Sequence, residues 1–327
     1  MAEYSPIART IINMWNSSFT KTFFIRTDRK NVKFNYVKTF NSIKPTNRNS
    51  NKKMKIKEYK KPTGNTIITS KDGLKIVASV WLNPKVSDKW VVGVHGFNSS
   101  RFDVLYLTWH YRALGYNILT FDFRNHGASE NDIVSWGYKE KWDLMSVIEW
   151  LTKNYIISQI GLVGTSMGAF TCIYTLMTEQ GFIEENKIRW LVSDSAYMSV
   201  NNMISEMISD NAFKLIETYA QNILEDVLKI YKQEYKVDFK GLDFIKLIQK
   251  GHNYIPIMFI HNRFDRVTNF LDSFKMQEIK NNIEHSDQNE LIIYDEGYNH
   301  TKSIIKFTKD YTNRTLEFVK KHQLESK

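Results

Sequence analysis

From about Asn65 onward, short β-branched and apolar runs alternate with longer segments of helical spacing. That alternation constrains the fold of this 327-residue chain more than any other feature. NTIITSKDGLKIVASVWLNP reads as two strands around a Lys-Asp-Gly turn. KWVVGVHGF, YNILTFDFR, QIGLVG, IRWLVSDSA, YIPIMFIHN and ELIIYDEG read as further strands. Between them, RFDVLYLTWHYRALG has helical spacing and stops at Gly115. Lys139 to Asn154 is predicted as a helix with Trp142, Met145 and Trp150 on its inner face. Met167 to Gln180 and a long segment from about Thr301 to His322 are predicted helices too. Strands separated by helices in this way imply a mostly parallel central sheet of about eight strands, covered on both faces. One connection breaks the rhythm. Residues 198–252 carry only helix-like sequence between two core strands, a length that normally brings structure of its own. The segment is read as a helical cap or lid, with a pair of extra packing helices as the plainer alternative.

The remainder of the chain is different in character. Residues 1–62 hold 15 Lys/Arg against 3 Asp/Glu, whereas residues 63–327 hold 30 against 32. The whole positive excess therefore sits in the first fifth, and the chain divides into a basic N-terminal helix and linker (1–62) and a near-neutral α/β domain (63–327). Ile7, Ile11, Trp15, Phe19 and Phe23 recur every fourth residue and predict an amphipathic helix through about Phe24. The Lys- and Asn-rich stretch from Asn41 to Asn65 reads as a solvated linker. This arrangement has three readings. It is a helix packed on the domain with a solvated linker, or an anchor contacting an anionic membrane surface peripherally, or a nucleic-acid contact, which no recognition motif supports. No run is long and apolar enough to span a bilayer, and the N-terminus lacks a signal peptide's basic start and unbroken apolar core, so a cytoplasmic protein is expected. The single cysteine, Cys172, is read as a packing residue.

Catalytic groups on such a sheet belong at the carboxyl ends of the strands. Five segments put polar residues there: VHGFNSS, FDFRNHGAS, GTSMG, HNRFD and DEGYNH. In this order the five motifs resemble the α/β-hydrolase superfamily, over about Asn65 to the C-terminus. GTSMGA and VSDSAYMSV are further similar to the Bem46-like and prolyl-oligopeptidase-like groups of esterases and peptidases.

The resemblance makes Ser166 the nucleophile, on a sharp strand-to-helix turn whose close packing calls for Gly164 and Gly168. A serine hydroxyl is a weak nucleophile and needs an adjacent base. The family orders its triad Ser, acid, His. His252, His261, His285, His300 and His322 all follow Ser166. His300 is chosen because it follows ELIIYDEG within a few loop residues and fits the family's Gly-x-x-His ending. His261 lies inside a strand run and reads as a packed or supporting group. Asp265, after YIPIMFIHN, is the favoured acid, and Asp194 at the end of the preceding strand is its rival. The oxyanion hole implied by the family uses the backbone N–H groups of Met167 and of Phe97 in His95-Gly96-Phe97. His95 is then structural, as are Asp122, Arg124 and His126 in FDFRNHGAS, where Asn125 replaces a family glycine; a place for His126 in the substrate pocket is the alternative. No metal is implied, because neither H-E-x-x-H nor a cysteine pair is present. No cofactor is implied, because no G-x-G-x-x-G or phosphate-binding loop occurs. The expected activity is hydrolysis of a small-molecule carboxylic ester or thioester through an acyl-enzyme on Ser166. A peptidase acting on short peptides, or a non-catalytic binding module on the same scaffold, are the alternatives.

Overall fold

The computed structural model describes residues 4–17, 61–212, 217–251, 253–296 and 300–324. Eight strands form one sheet: β1 (Gly64–Thr69), β2 (Lys75–Trp81), β3 (Lys89–Val94), β4 (Asn117–Phe121), β5 (Gln159–Thr165), β6 (Ile188–Asp194), β7 (Ile257–Asn262) and β8 (Glu290–Tyr294). Their order is β1-β2-β4-β3-β5-β6-β7-β8. The first two strands pair antiparallel around the Lys71-Asp72-Gly73 turn, where Gly73 takes the positive φ that closes it. All pairs from β3 onward are parallel. The central strands are mostly apolar and buried along their whole length, as a sheet covered on both faces requires: every residue of β4, β5 and β7 is buried.

The covering helices match the sequence pattern with two corrections. The segment after β3 forms only a four-residue helical turn, Leu105–Thr108, followed by a 3-10 helix, Trp109–Leu114, that ends on left-handed Gly115. Phe102, Val104, Leu105, Leu107 and Tyr111 are all buried there, so the segment lacks the polar face of a long surface helix. In the helix Glu140–Asn154, the buried stripe is Leu144, Val147, Ile148 and Leu151 together with Met145. Trp142 and Trp150 lie half-buried at its margins, Trp142 under the Arg124 guanidinium and Trp150 against Tyr155.

Between β6 and β7 the chain forms Val200–Ala212, Glu217–Gln233, a 3-10 turn and Phe244–Lys250. Ile204, Val227, Ile230 and Tyr231 of this insertion are buried in the main core. The N-terminal helix is Pro6–Asn16, started by Ser5 and Pro6. Ala8, Ile12 and Trp15 bury its apolar stripe in that same core. Arg9 pairs with Glu234 through both guanidinium nitrogens and the Ser5 N–H donates to Asp226 at 2.8 Å. This helix is therefore docked on the insertion. Phe19, Phe23, Phe24 and the linker through Lys60 lie outside the described residues, as do His252 and Gly297-Tyr298-Asn299; the predicted end of the linker, Gly64 and Asn65, instead opens β1, paired with Val80 and Ser79. No helix among the described residues is long and apolar enough to cross a membrane.

Candidate active site

Strand β5 ends at Thr165, and the helix Met167–Thr178 begins one residue later. The residue between them, Ser166, has φ 53° and ψ −122°. A serine does not adopt that conformation without support. The support comes from both sides of the turn. The Ser166 N–H donates to the Asp194 carbonyl at 2.8 Å, and the Phe170 N–H donates to the Ser166 carbonyl at 3.0 Å. The flanking glycines permit the close approach. A Cβ on Gly164 would lie 2.7 Å from the Ala169 Cα, and one on Gly168 would lie 2.3 Å from the Val94 carbonyl oxygen. Either would push the turn off the sheet.

The loop after β3 lies directly against this serine. A Cβ on Gly96 would meet the Ser166 Cβ at 3.1 Å and its Oγ at 3.7 Å. The N–H groups of Phe97 and Met167, on the two sides of this contact, make no hydrogen bond to another described residue. Two buried histidines hold the loop. His95 donates from Nδ1 to the Gly96 carbonyl at 2.7 Å and accepts the Phe123 N–H at Nε2, 3.0 Å away. His126 donates from Nδ1 to the Arg124 carbonyl at 2.9 Å and accepts the Asn98 N–H at Nε2, 3.2 Å away. Each ring must be neutral to accept at Nε2. Burial favours this state and pushes His95 down to about 3.

Around them, Asp122 accepts the Arg101 N–H at 2.7 Å and the Ala128 N–H at 2.9 Å, and pairs with the Arg101 guanidinium. Arg124, wholly buried, bonds Asp143, Asp72 and Asp132. These contacts account for the FDFRNHGAS motif as loop architecture. Asn125 takes φ 60°, the left-handed conformation for which a glycine serves elsewhere. Its side-chain amide donates to the Asn16 carbonyl at 2.7 Å, closing the end of the N-terminal helix.

On the other side, Asp265 follows β7 and receives His300 Nδ1 on Oδ2 at 2.8 Å. Its Oδ1 accepts the N–H groups of Val267 and Thr268 at 2.8 and 3.1 Å. Burial alone would raise this carboxyl, but the hydrogen bonds from His261 and His300 outweigh it and hold Asp265 well below the usual carboxylate range. Asp194 is committed elsewhere. Its Oδ2 accepts the Tyr311 hydroxyl and its Oδ1 the Ser195 hydroxyl, both at 2.8 Å. Burial raises Asp194 despite these bonds. The two candidate acids thus separate by partner.

Hydrogen bonds also tie the two sides together. The Asp194 carbonyl holds the Ser166 N–H, and the carbonyl of the next residue, Ser195, accepts the Thr268 hydroxyl at 3.1 Å. That hydroxyl stands 3.3 Å from His300 Nδ1. Nothing in the residue pattern singles out Thr268, Ser195 or Tyr311, because threonine, serine and tyrosine hydroxyls are useful in many places and only the fold shows where these three sit. His285 caps the helix Phe270–Glu284 and His322 sits near the tail, away from this group. Beside Asp265 and Thr268 opens a cavity of about 800 Å³. Met207 and Ser209 of the insertion form one part of its lining, and Arg266, Val267 and Phe270 another.

The family model for the alpha/beta hydrolase fold matches residues 89–231, from β3 through the serine turn into the insertion. A 91-residue stretch is 33% identical to the uncharacterized protein YqkD of Bacillus subtilis (strain 168), covering 28% of this chain and 30% of that protein. The match thus spans less than a third of that relative. Among solved structures, the esterase Pf2001 of Pyrococcus furiosus is similar with a TM-score of 0.62 and 25% identity, over 79% of this chain and 92% of that one. The esterase EaEST of Exiguobacterium antarcticum shares the fold at 16% identity with a TM-score of 0.51, over 78% and 99% of the two chains. Est1E of Butyrivibrio proteoclasticus, solved with ferulic acid, shares it at 14% identity with a TM-score of 0.53, over 78% and 100%.

Proposed function

Because the chain has the α/β-hydrolase fold, we propose that it is a serine hydrolase that cleaves a carboxylic ester or thioester through an acyl-enzyme. The observation that carries this reading is Ser166 held at φ 53° on its turn while the downstream pair Asp265–His300 is already formed. In this reading His300 takes the hydroxyl proton as Ser166 Oγ attacks the acyl carbon. Asp265 fixes the Nδ1–H tautomer of His300, leaving Nε2 as the base, and stabilises the imidazolium that forms. The N–H groups of Phe97 and Met167 are the donors for the developing oxyanion. His300 then protonates the departing alcohol or thiol, and activates the water that releases the acid.

The cavity beside Asp265 is the proposed substrate space, and its volume suits an acyl ester of medium size. Structural neighbours that are esterases support an ester over a peptide. A peripheral contact with an anionic membrane would rest on the Lys/Arg surplus of residues 18–62, since the apolar stripe of Pro6–Asn16 is buried.

A fluorophosphonate probe tests the proposal. The full chain is expected to label at Ser166, and Ser166→Ala is expected not to label. A wild-type chain that stays unlabelled under native conditions would leave the binding-module reading in its place. A panel of p-nitrophenyl esters of rising chain length, run beside aminoacyl-naphthylamides, distinguishes esterase from peptidase.

A further inference from the structure

The pair Asp265–His300 is one part of a larger group. His261, fully buried on β7, stands with Nε2 3.4 Å from Asp265 Oδ2. That is the same oxygen on which His300 Nδ1 rests at 2.8 Å. The other contacts of His261 assign its protons. Nε2 faces the Thr268 carbonyl at 3.2 Å, which can only accept, so Nε2 carries a hydrogen. Nδ1 faces the Ser273 hydroxyl at 2.8 Å, which donates to it in the neutral ring. The Nε2–H is then shared between the Thr268 carbonyl and Asp265 Oδ2, a three-centre bond. The Thr268 hydroxyl sits among the same atoms, 3.2 Å from both Asp265 Oδ2 and His261 Nε2.

We propose that His261 is a positioning residue of the catalytic pair: its Nε2–H shares Asp265 Oδ2 with His300, and so fixes that oxygen and divides the charge it turns to His300. The inference rests on the hydrolase reading above and adds a residue to it. Two donors on one oxygen divide its charge, so each is held less strongly than it would be alone. Removing the His261 donor leaves more of that charge to the His300 imidazolium and stabilises the protonated base. The bond from His261 is also foremost among those that hold Asp265 in its charged form. The titratable and charged groups that face this assembly are Asp194 with Tyr311, from β6 and the C-terminal helix, Asp272 of the helix after β7, and Glu206, Arg263 and Arg266 around the cavity beside Asp265. Tyr106, whose hydroxyl bonds the Thr301 carbonyl next to His300, faces Asp194. Asp194 and Asp272 both sense His261, so each is pushed further up when it is replaced, whereas Tyr106 and Tyr311 keep their partners.

The test reads kcat/KM of the full chain for p-nitrophenyl acetate from pH 5 to 9. His261→Leu removes the donor. It is expected to raise the midpoint of the acidic limb by about 0.5–1 pH unit, which is roughly a three- to tenfold loss at low pH. The plateau above pH 8.5 is expected to fall too, as the pair is less well positioned, but by less than the low-pH limb, whereas a residue that merely supports the fold would scale the whole profile equally. His261→Gln keeps an N–H near the same place and is expected to bring the midpoint most of the way back. Ser273→Ala removes the hydroxyl that fixes the ring, and is expected to shift the midpoint less and in the same direction. It carries the test if the leucine variant does not fold. A folded His261→Leu with the wild-type midpoint, or an unmoved Ser273→Ala in its place, overturns the proposal. Wild-type labelling by fluorophosphonate separates the two levels. An unlabelled wild type defeats the hydrolase reading, while a labelled one with unmoved midpoints defeats only the role of His261.

Discussion

Each side of Ser166 carries a pair of buried or half-buried histidines, and the two pairs are bonded in opposite ways. On the side of the Gly96–Phe97 loop, His95 and His126 each donate to a backbone carbonyl and accept a backbone N–H. Both nitrogens are spent on the main chain, so these rings act as neutral spacers between loops. On the other side, His300 and His261 both turn a ring nitrogen to one carboxylate oxygen. In the proposed mechanism that carboxylate stabilises the imidazolium, and the second nitrogen of His300 serves the substrate. The difference teaches that a histidine's partner, and not its distance from the serine, decides whether it can act as a base. His95 lies one residue from Gly96, which touches Ser166, yet it has no free nitrogen with which to take a proton.

The largest expected effect breaks the charged side. Asp265→Asn presents His300 with the wrong tautomer and is expected to lower kcat/KM by about 10⁴-fold, with the fold retained. Asp194→Asn should behave differently, since Tyr311 and Ser195 are its partners. It is expected to cost stability, about 1–3 kcal/mol, because one buried hydroxyl is left facing an amide N–H₂. Steady-state kinetics beside urea denaturation separate these outcomes. A greater loss of activity from Asp194→Asn would reassign the acid.

Next in size is the aromatic contact that joins the neutral side to the N-terminal helix. Trp15 packs edge-on against Trp136 at 5.2 Å, and Trp136 lies 4.9 Å from Phe97. Trp15→Ala is expected to cost about 3–5 kcal/mol, as removal of a buried tryptophan commonly does. A loss below about 1 kcal/mol in chemical denaturation would mean that the helix is not part of the cooperative core.

The neutral side also predicts a pH dependence. His95 is pushed down to about 3 in the folded chain, while an unfolded histidine titrates near about 6.5. Between these values the unfolded chain binds a proton that the folded chain does not. Stability therefore falls as pH drops from about 6.5 toward 3, by up to about 1.4 kcal/mol per pH unit for this residue. His110, also pushed down to about 3 by burial, adds to the same slope. His95→Gln is expected to be less stable at pH 7 and to lose less on acidification to pH 5. Parallel slopes for the variant and the wild type in urea denaturation would show that His95 is charged in the folded state.

Much of this was legible in the sequence because it depends on local patterns. The strands could be read from short, mostly apolar runs such as NILTF and QIGLVGT, and Ser166 from its flanking glycines, which the turn has no room to replace. His300 and Asp265 could be placed because each follows a strand by a short loop. The remainder depends on contacts between distant segments. Tyr311 lies 117 residues from Asp194, and Ser195 lies 73 residues from Thr268, so no spacing announces either bond. The same holds for the N-terminal helix, whose apolar stripe is visible in the sequence while the surface that covers it is assembled from residues beyond 130. Trp142 and Trp150 misled for a related reason: indole rings can cover the margin of a helix as well as its core face.

The smallest effect concerns Asn125, where the chain departs from the family's glycine. Its backbone is left-handed, so a glycine would fit without strain. What a glycine could not supply is the amide that donates to the Asn16 carbonyl. Asn16 in turn accepts the Val134 N–H at 2.9 Å on its side chain, so the helix end keeps one of its two ties to this loop when Asn125 is changed. Asn125→Gly is therefore expected to cost only about 0.5–1.5 kcal/mol, with activity nearly unchanged. The loss should be local. Amide exchange is expected to quicken at Ile12 through Ser17 and to stay slow at His95 and Gly96, whose loop is held by Asp122 and the two neutral histidines. Faster exchange in both places would show that the N-terminal helix and the Gly96–Phe97 loop open as one unit. The asparagine would then be part of what keeps Phe97 beside Ser166.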